Sequence, residues 1–286
     1  MAERILDPDD TALDPFRAMR DKDRRAGGGG FIVESPRCVA RFLGAVREGR
    51  YAAERVLGDP GLAAGSMGLA EELGVPVIAS EESVMTAASG YRFHAGCLAV
   101  GRRLDREPSI ESLLDRLPTA STTIVALAGI TSMDNMGGIF RTVAALGGDA
   151  VVLDGACSDP LLRRTIRISM GQVFRVPWAV VTDLRNAIET LRSDRGFTSI
   201  GLENLPDARP ISEWSRHATP PPLRRLIVIG NEGHGLAPEV LASCDEVRRI
   251  EGPEDLPLDE RPGGDDERSL NAATAAAIAL HHLLRG

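Results

Sequence analysis

The sequence predicts an α/β protein of two domains, the second built on a mostly parallel sheet. Three observations carry this expectation. The chain has 286 residues, more than one average domain needs and enough for two with substantial cores. From Thr122 onward, short and nearly continuous apolar runs alternate with helical stretches, the pattern of parallel strands buried on both faces. A smaller alternation of the same kind precedes it, and the two are separated by the break EPSIESLLDRLP.

The elements follow in order. Residues 1–29 read as a flexible lead-in, charged and ending in RRAGGGG. Residues 30–104 read as a small α/β domain. It opens with the strand FIV, continues through a helix over 36–47 and a strand over 55–57, and then a helix over 61–73. The strand PVIAS, a helix over 81–88 and a closing strand GCLAVG complete it. Residues 105–120 form a linker with room for one helical turn.

Residues 121–286 supply the larger domain, with strands TIVALAG, AVVLDG, VFRVPWAVV, FTSIG, RRLIVIG and EVRRI. Helices separate them, and a last helix runs over 269–284. Ligands in such sheets bind beyond the carboxyl ends of the strands. The loops after Gly129, Gly230 and Ile250 are therefore the first places to look for a site.

Composition narrows the function classes. An apolar fraction of 43% with 26% charged residues suits an ordinary soluble globular protein. No apolar run approaches the ~20 residues that span a bilayer, and the acidic start MAERILDPDD has no apolar signal segment. A soluble, cytoplasmic protein without a membrane partner is expected. Cys38, Cys97, Cys157 and Cys244 are scattered and form no CxxC pair, so neither a disulfide framework nor a metal site is expected.

The net charge of −8 argues at first against nucleic acid, which is bound through Lys and Arg. Its distribution weakens that objection. The segment from Glu251 to Glu267 holds eight acids and one base, Arg261, so the remainder is nearly neutral. Lys22 is the only lysine, and arginine offers a planar fork suited to phosphate.

Three segments carry candidate chemistry: NMGGIFRTVAALG from Asn135, IGNEGHGL from Ile229 and SLNAATAAAIAL from Ser269. GNEGHG follows an apolar strand directly, and its three glycines let the backbone turn sharply and approach a ligand. On residues alone, a plain tight turn explains it equally well. Asn135 and Arg141 lie roughly 9 Å apart along one helix axis, at about 1.5 Å per residue, with Ser132 or Asp134 as its cap. Ser269 or Asn271 could cap the last helix.

Together these segments, with the intervening TIRISMGQVFRVPW, resemble the three motifs of the SpoU/TrmH family of RNA ribose methyltransferases in the SPOUT superfamily. FIVESPRCVARFL and FHAGCLAV resemble that family's N-terminal substrate-binding domain. The resemblance covers most of residues 30–286. It implies a C-terminal domain tied in a deep trefoil knot, an exception to the rule that chains do not thread themselves, and a homodimer in which the arginine acts across the interface.

The resemblance also implies S-adenosylmethionine as cofactor, held by Gly230, Asn231, Glu232, Gly233 and Gly235, with Ile250 and the backbone of Leu270. Catalytic roles fall on Asn135, Arg141, Glu232, Ser269 and Asn271, and the substrate is rRNA or tRNA. Arg24, Arg25, Arg163, Arg164 and Arg167 are candidate phosphate contacts beside Arg141, although a solvated helix face explains such clusters too. A catalytically weak RNA-binding protein of the same fold, and a base-methylating SPOUT enzyme, are the competing readings.

The chain departs from the family pattern in two places. An acidic stretch, EGPEDLPLDERPGGDDER, separates Ile250 from Ser269, where the family has a few residues. It is either a solvated loop or a segment that acts as a lid or repels RNA from one side of the site. Ser132 and Met133 replace a common Asp-Pro pair.

Overall fold

The computed structural model describes residues 2–17, 30–89, 96–104, 109–118, 120–214, 223–252, 255 and 270–285. Its elements begin with β1 (Glu3–Arg4), α1 (Asp14–Arg17), β2 (Gly30–Glu34), α2 (Pro36–Arg47) and β3 (Tyr51–Gly58). Next come α3 (Pro60–Glu72), β4 (Val77–Ala79), α4 (Glu82–Ser89), β5 (Cys97–Arg103) and α5 (Ile110–Leu114). The middle of the chain forms β6 (Thr122–Leu127), α6 (Met133–Leu146), β7 (Ala150–Asp154), α7 (Arg163–Ile168) and β8 (Trp178–Val181). The last elements are α8 (Leu184–Arg195), β9 (Thr198–Leu202), β10 (Arg209–Pro210), β11 (Arg224–Ile229), α9 (Pro238–Ser243), β12 (Glu246–Arg249) and α10 (Ala272–Arg285).

The chain divides into two compact units. The first takes Met1–Glu107 together with Asp159–Arg175, and the second takes Pro108–Ser158 and Val176–Gly286. In the first, five strands run in the order β1-β4-β3-β5-β2. β3 is parallel to β4 and antiparallel to β5, which is antiparallel to β2. Phe31, Phe42, Tyr51 and Phe174 form an aromatic cluster with ring centroids 5.3 to 6.4 Å apart. Phe174 belongs to the Asp159–Arg175 segment, so this later stretch is part of the first unit's core.

The second unit is a seven-stranded sheet in the order β10-β12-β9-β11-β6-β7-β8, with every pairing parallel. One face buries Ile124, Ala126, Val152, Leu226 and Val228 against Leu113 and Leu114 of α5 and Leu184, Ile188 and Leu191 of α8. Elsewhere in the unit α6 and α10 pack on each other and α10 meets β11. The alternation of apolar strands with helices thus gives the mixed α/β, parallel-sheet architecture expected. β11 lies between β6 and β9 although β7 and β8 come between them in sequence. The carboxyl ends of β6, β9, β11 and β12 converge at this switch in strand order, where ligand crevices form.

Sequence and structure differ in detail. VFRVPWAVV is a 3₁₀ turn at Gln172–Phe174 followed by a strand beginning only at Trp178, because Phe174 is drawn into the aromatic cluster. β3 is longer than the three residues expected, since it pairs along its length with β5. None of the described helices is long and apolar enough to cross a membrane.

Candidate functional site

α6 begins at Ser132, whose hydroxyl accepts from the Asn135 backbone N–H at 3.3 Å, a cap of the kind worth about 1 kcal/mol. Ser132 rather than Asp134 thus takes the capping role, and the first turn places Asn135 inward, 6% exposed. Arg141, further along the same helix, is exposed and has no hydrogen-bond or ion-pair partner among the described residues.

The loop after β11 is drawn tight by its own side chains. Asn231 Nδ2 donates to the Gly129 carbonyl at 3.0 Å, and Asn231 Oδ1 accepts from the Gly233 N–H at 2.8 Å. The loop closes on itself where the Gly235 N–H donates to the Asn231 carbonyl at 2.8 Å. A Cβ on Gly230 would lie 2.4 Å from the Gly235 carbonyl group, which only glycine tolerates. Gly235 has φ +65°, and its missing Cβ leaves room for the Glu203 carboxylate. That carboxylate accepts from the Leu236 N–H at 2.7 Å, holding the loop from the β9 side.

Side-chain hydrogen bonds join the three motifs. Asn271 Nδ2 donates to Asn135 Oδ1 at 2.5 Å, and Asn135 Nδ2 donates to Glu232 Oε1. Glu232 Oε1 also accepts from the Ala272 N–H at 3.1 Å. Asn271 Oδ1 accepts from the Ala273 and Thr274 N–H groups at 3.1 and 3.2 Å, so Asn271 caps α10 while its amide nitrogen serves the site. Two otherwise unsatisfied donors of that helix end are thereby used.

The β6 loop is braced separately. Asp154 accepts from Gly129, Ala156 and Cys157 N–H groups at 3.0 Å each, and the Cys157 sulfur accepts from Ile130 at 3.3 Å. Burial, and then the Asp154 charge, pushes the Cys157 thiol up to about 12.

A pocket of about 1010 Å³ opens at these strand ends, lined by residues that include Gly230, Asn231, Glu232, Gly233, Gly235, Ile250 and Leu270. All seven expected cofactor contacts thus face one space. Asn135 and Asn271 are tied to its wall through Glu232, Ser269 lies outside the described residues, and Arg141 stands beyond the lining. Glu203, Asn204, Leu202, His234 and Glu251 also line it and were not expected. The signal for Glu203 was available, as an acid directly after the strand FTSIGL in a parallel sheet.

The lining tests what the site can hold. Leu202, Ile229 and Leu270 give apolar walls, while Glu203, Glu232 and Glu251 are the charged side chains and no arginine or lysine is among them. Such a space suits a flat apolar ring joined to a cation, and its size is near the upper end of the ~300–1,000 Å³ usual for small-ligand sites. S-adenosylmethionine, an adenine nucleoside bearing a positive sulfur and an ammonium group, fits that description. Among the described residues there is no group of three or more His, Cys, Asp or Glu side chains that could hold a metal ion.

Comparison with known proteins agrees. Residues 122–281 match the SpoU rRNA Methylase family model. An uncharacterized tRNA/rRNA methyltransferase of Mycobacterium bovis is 33% identical over 98% of this chain and 91% of its own length. The fold is similar to an rRNA methyltransferase from Sinorhizobium meliloti, with TM-score 0.76, 21% identity, and 99% and 98% of the two chains covered. That protein has also been solved with AdoMet bound. An RNA 2′-O ribose methyltransferase structure superposes with TM-score 0.73 at 22% identity, covering 99% and 98%. With the three motifs gathered at one pocket and more than half the chain matched, this protein belongs to the SpoU rRNA methylase family of S-adenosylmethionine-dependent RNA methyltransferases.

Proposed function

We propose that this chain methylates a ribose 2′-hydroxyl in a structured rRNA or tRNA, as a homodimer with a trefoil-knotted domain over 121–286 and an RNA-binding domain over 30–104. The observation that carries the reading is the hydrogen-bonded chain Asn271–Asn135–Glu232, which ties all three motifs to the wall of one pocket. The mycobacterial relative is named an uncharacterized tRNA/rRNA methyltransferase, and one protein of similar fold is named an RNA 2′-O ribose methyltransferase.

In this reading Gly230, Asn231, Glu232, Gly233, Gly235, Ile250 and Leu270 hold S-adenosylmethionine. When bound, it supplies a methyl group on a positively charged sulfur, already a strong electrophile. The protein's part is positional and electrostatic. Glu232 offers negative charge at the pocket wall, and Asn135 and Asn271 hold that carboxylate in place. Ser269 completes the last motif.

Arg141 grips the phosphate beside the target nucleotide and orients the 2′-hydroxyl. An arginine keeps its proton throughout the working pH range, which makes it a poor general base but a good bidentate clamp. Its exposure and lack of a partner among the described residues suit a group waiting for substrate. Of the other phosphate contacts expected, Arg24 and Arg25 lie outside the described residues. Arg163 is paired with Glu34 at 2.8 Å, and Arg167 stands 3.9 Å from the same carboxylate. Arg164 lies beside Arg163 on α7.

The test is incubation with methyl-labelled donor and total RNA, followed by alkaline hydrolysis. Ribose methylation predicts label in alkali-resistant dinucleotides, because a blocked 2′-oxygen cannot attack the neighbouring phosphate. Label in ordinary mononucleotides would establish a base methyltransferase, and no label would favour an RNA-binding role.

A further inference from the structure

The first unit holds a cluster of arginines of which three, Arg37, Arg41 and Arg175, have no carboxylate partner among the described residues. Arg37 and Arg41 stand one turn apart on α2, a spacing at which like charges repel. Arg37 also sits in the first turn, where the helix dipole disfavours cations, and no acid occupies that turn. Arg175 joins them from the end of the Asp159–Arg175 segment. Burial first, then the charge of Arg175 and that of Arg37, lower the pKa of Arg41, and no carboxylate is among the causes.

Packing forces this crowding. Arg41 Nη1 donates to the Met170 carbonyl at 2.5 Å, a neutral partner that satisfies the group without cancelling its charge. Cys38 Sγ donates to the Ile166 carbonyl at 3.8 Å. Gly171, at φ +77°, brings its backbone so close that a Cβ there would lie 3.1 Å from Cys38 Cα. Arg167, whose side chain is 56% exposed, follows Ile166, and the carboxylate near it, Glu34, already pairs with Arg163. Arg37 and Arg175 are exposed and have no hydrogen-bond or ion-pair partner among the described residues. This happens in a chain of net charge −8, so the patch is a local concentration of charge and not a reflection of overall composition.

Resting on the reading of the chain as an RNA methyltransferase, we propose that Arg37, Arg41, Arg167 and Arg175 form a docking surface for the phosphate backbone of the RNA substrate on the first unit. Arg37, Arg41 and Arg175 stand close enough to act on one another, and guanidinium groups so gathered suit the phosphates of a strand. The unfavourable energy of holding them together is relieved when a polyanion arrives. Recognition is through backbone and shape, which fits a protein with 4% aromatic residues.

The test compares the full-length protein with Arg37→Gln/Arg175→Gln in filter binding to deproteinised ribosomal RNA and to total tRNA over a range of KCl. Each phosphate that the protein no longer neutralises lowers the slope of log affinity against log salt by about 0.7 to 0.9. The double variant is expected to reduce the slope by about 1.5 and the affinity by at least about tenfold near 0.1 M KCl. Its affinity for S-adenosylmethionine stays within twofold. Arg37→Lys/Arg175→Lys restores most of the slope, and Arg185→Gln/Arg195→Gln on α8 leaves it unchanged. A double glutamine variant with wild-type slope and affinity overturns the patch while leaving the methyltransferase reading intact. Failure of the wild type itself to bind either RNA overturns both.

Discussion

At the scale of single residues, the site depends on a few side chains that each do two things. Glu232 accepts from Asn135 and from the Ala272 N–H with one oxygen and puts negative charge on the pocket wall. Glu232→Gln keeps an acceptor and removes the charge. It should weaken S-adenosylmethionine by about three- to tenfold, or about 0.7–1.4 kcal/mol, and S-adenosylhomocysteine, whose sulfur is neutral, by less. Titration calorimetry with both ligands measures this, and equal weakening would show that charge is not what Glu232 supplies. Arg141→Lys keeps charge but not the fork, and should cost at least about tenfold in single-turnover rate. Nearly full rate with an unchanged pH profile would rule out the clamp.

The cysteines give a pH prediction at the same scale. Burial pushes Cys97 and Cys157 up to about 12 and Cys244 up to about 11, against about 8.5 for an exposed thiol. A thiol that keeps its proton in the folded state contributes fully below the unfolded pKa, and loses that contribution as pH rises toward the folded one. Stability to urea should therefore hold between pH 7 and 8 and fall above about pH 9. A midpoint that stayed level to pH 10.5 would contradict the burial of these thiols.

At the scale of elements, much was legible because the signals are local. Apolar runs marked the strands, Ser132 and Asp134 together marked the start of α6 without deciding which caps it, and the glycines of GNEGHG marked a sharp turn after β11. What could not be read depends on distant partners. The stretch after Asp159 has ordinary helical periodicity and gave no sign that Phe174, Met170 and Ile166 pack with residues some 128 positions earlier. The position of Glu203 after a parallel strand marked it as a possible site acid, but its role of filling the space left by Gly235 is a relation visible only when two loops meet. The packing of α6 on α10 offers a test. A Cβ on Gly138 would lie 2.8 Å from Ala273 Cβ, so Gly138→Ala must push the helices apart. It should cost about 1–3 kcal/mol and loosen the Asn135–Asn271 hydrogen bond. An unchanged denaturation midpoint would show that the interface has slack.

At the scale of the molecule, the order of the strands makes the site. Placing β11 between β6 and β9 brings the Gly129, Gly230 and Ile250 loops together at the carboxyl ends of the strands, so that Asn135, from the first motif, is hydrogen-bonded to Glu232 on the wall of a pocket lined by later segments. If Arg141 acts across a homodimer interface as proposed, mixing Arg141→Ala chains with Gly230→Val chains should rebuild one intact site per mixed dimer. At random exchange this returns about a quarter of wild-type activity, measured as methyl transfer to RNA. No recovery would place the arginine and the pocket of one reaction in the same chain.

The claim under all of this is that these loops form one cofactor pocket, and calorimetric titration of S-adenosylmethionine into the wild type and Gly230→Val reads it most directly. The account predicts one donor bound per wild-type chain and at least a hundredfold weaker binding in a variant that circular dichroism shows to be folded. A wild type without affinity for the donor, or a folded variant that binds as tightly, would contradict it.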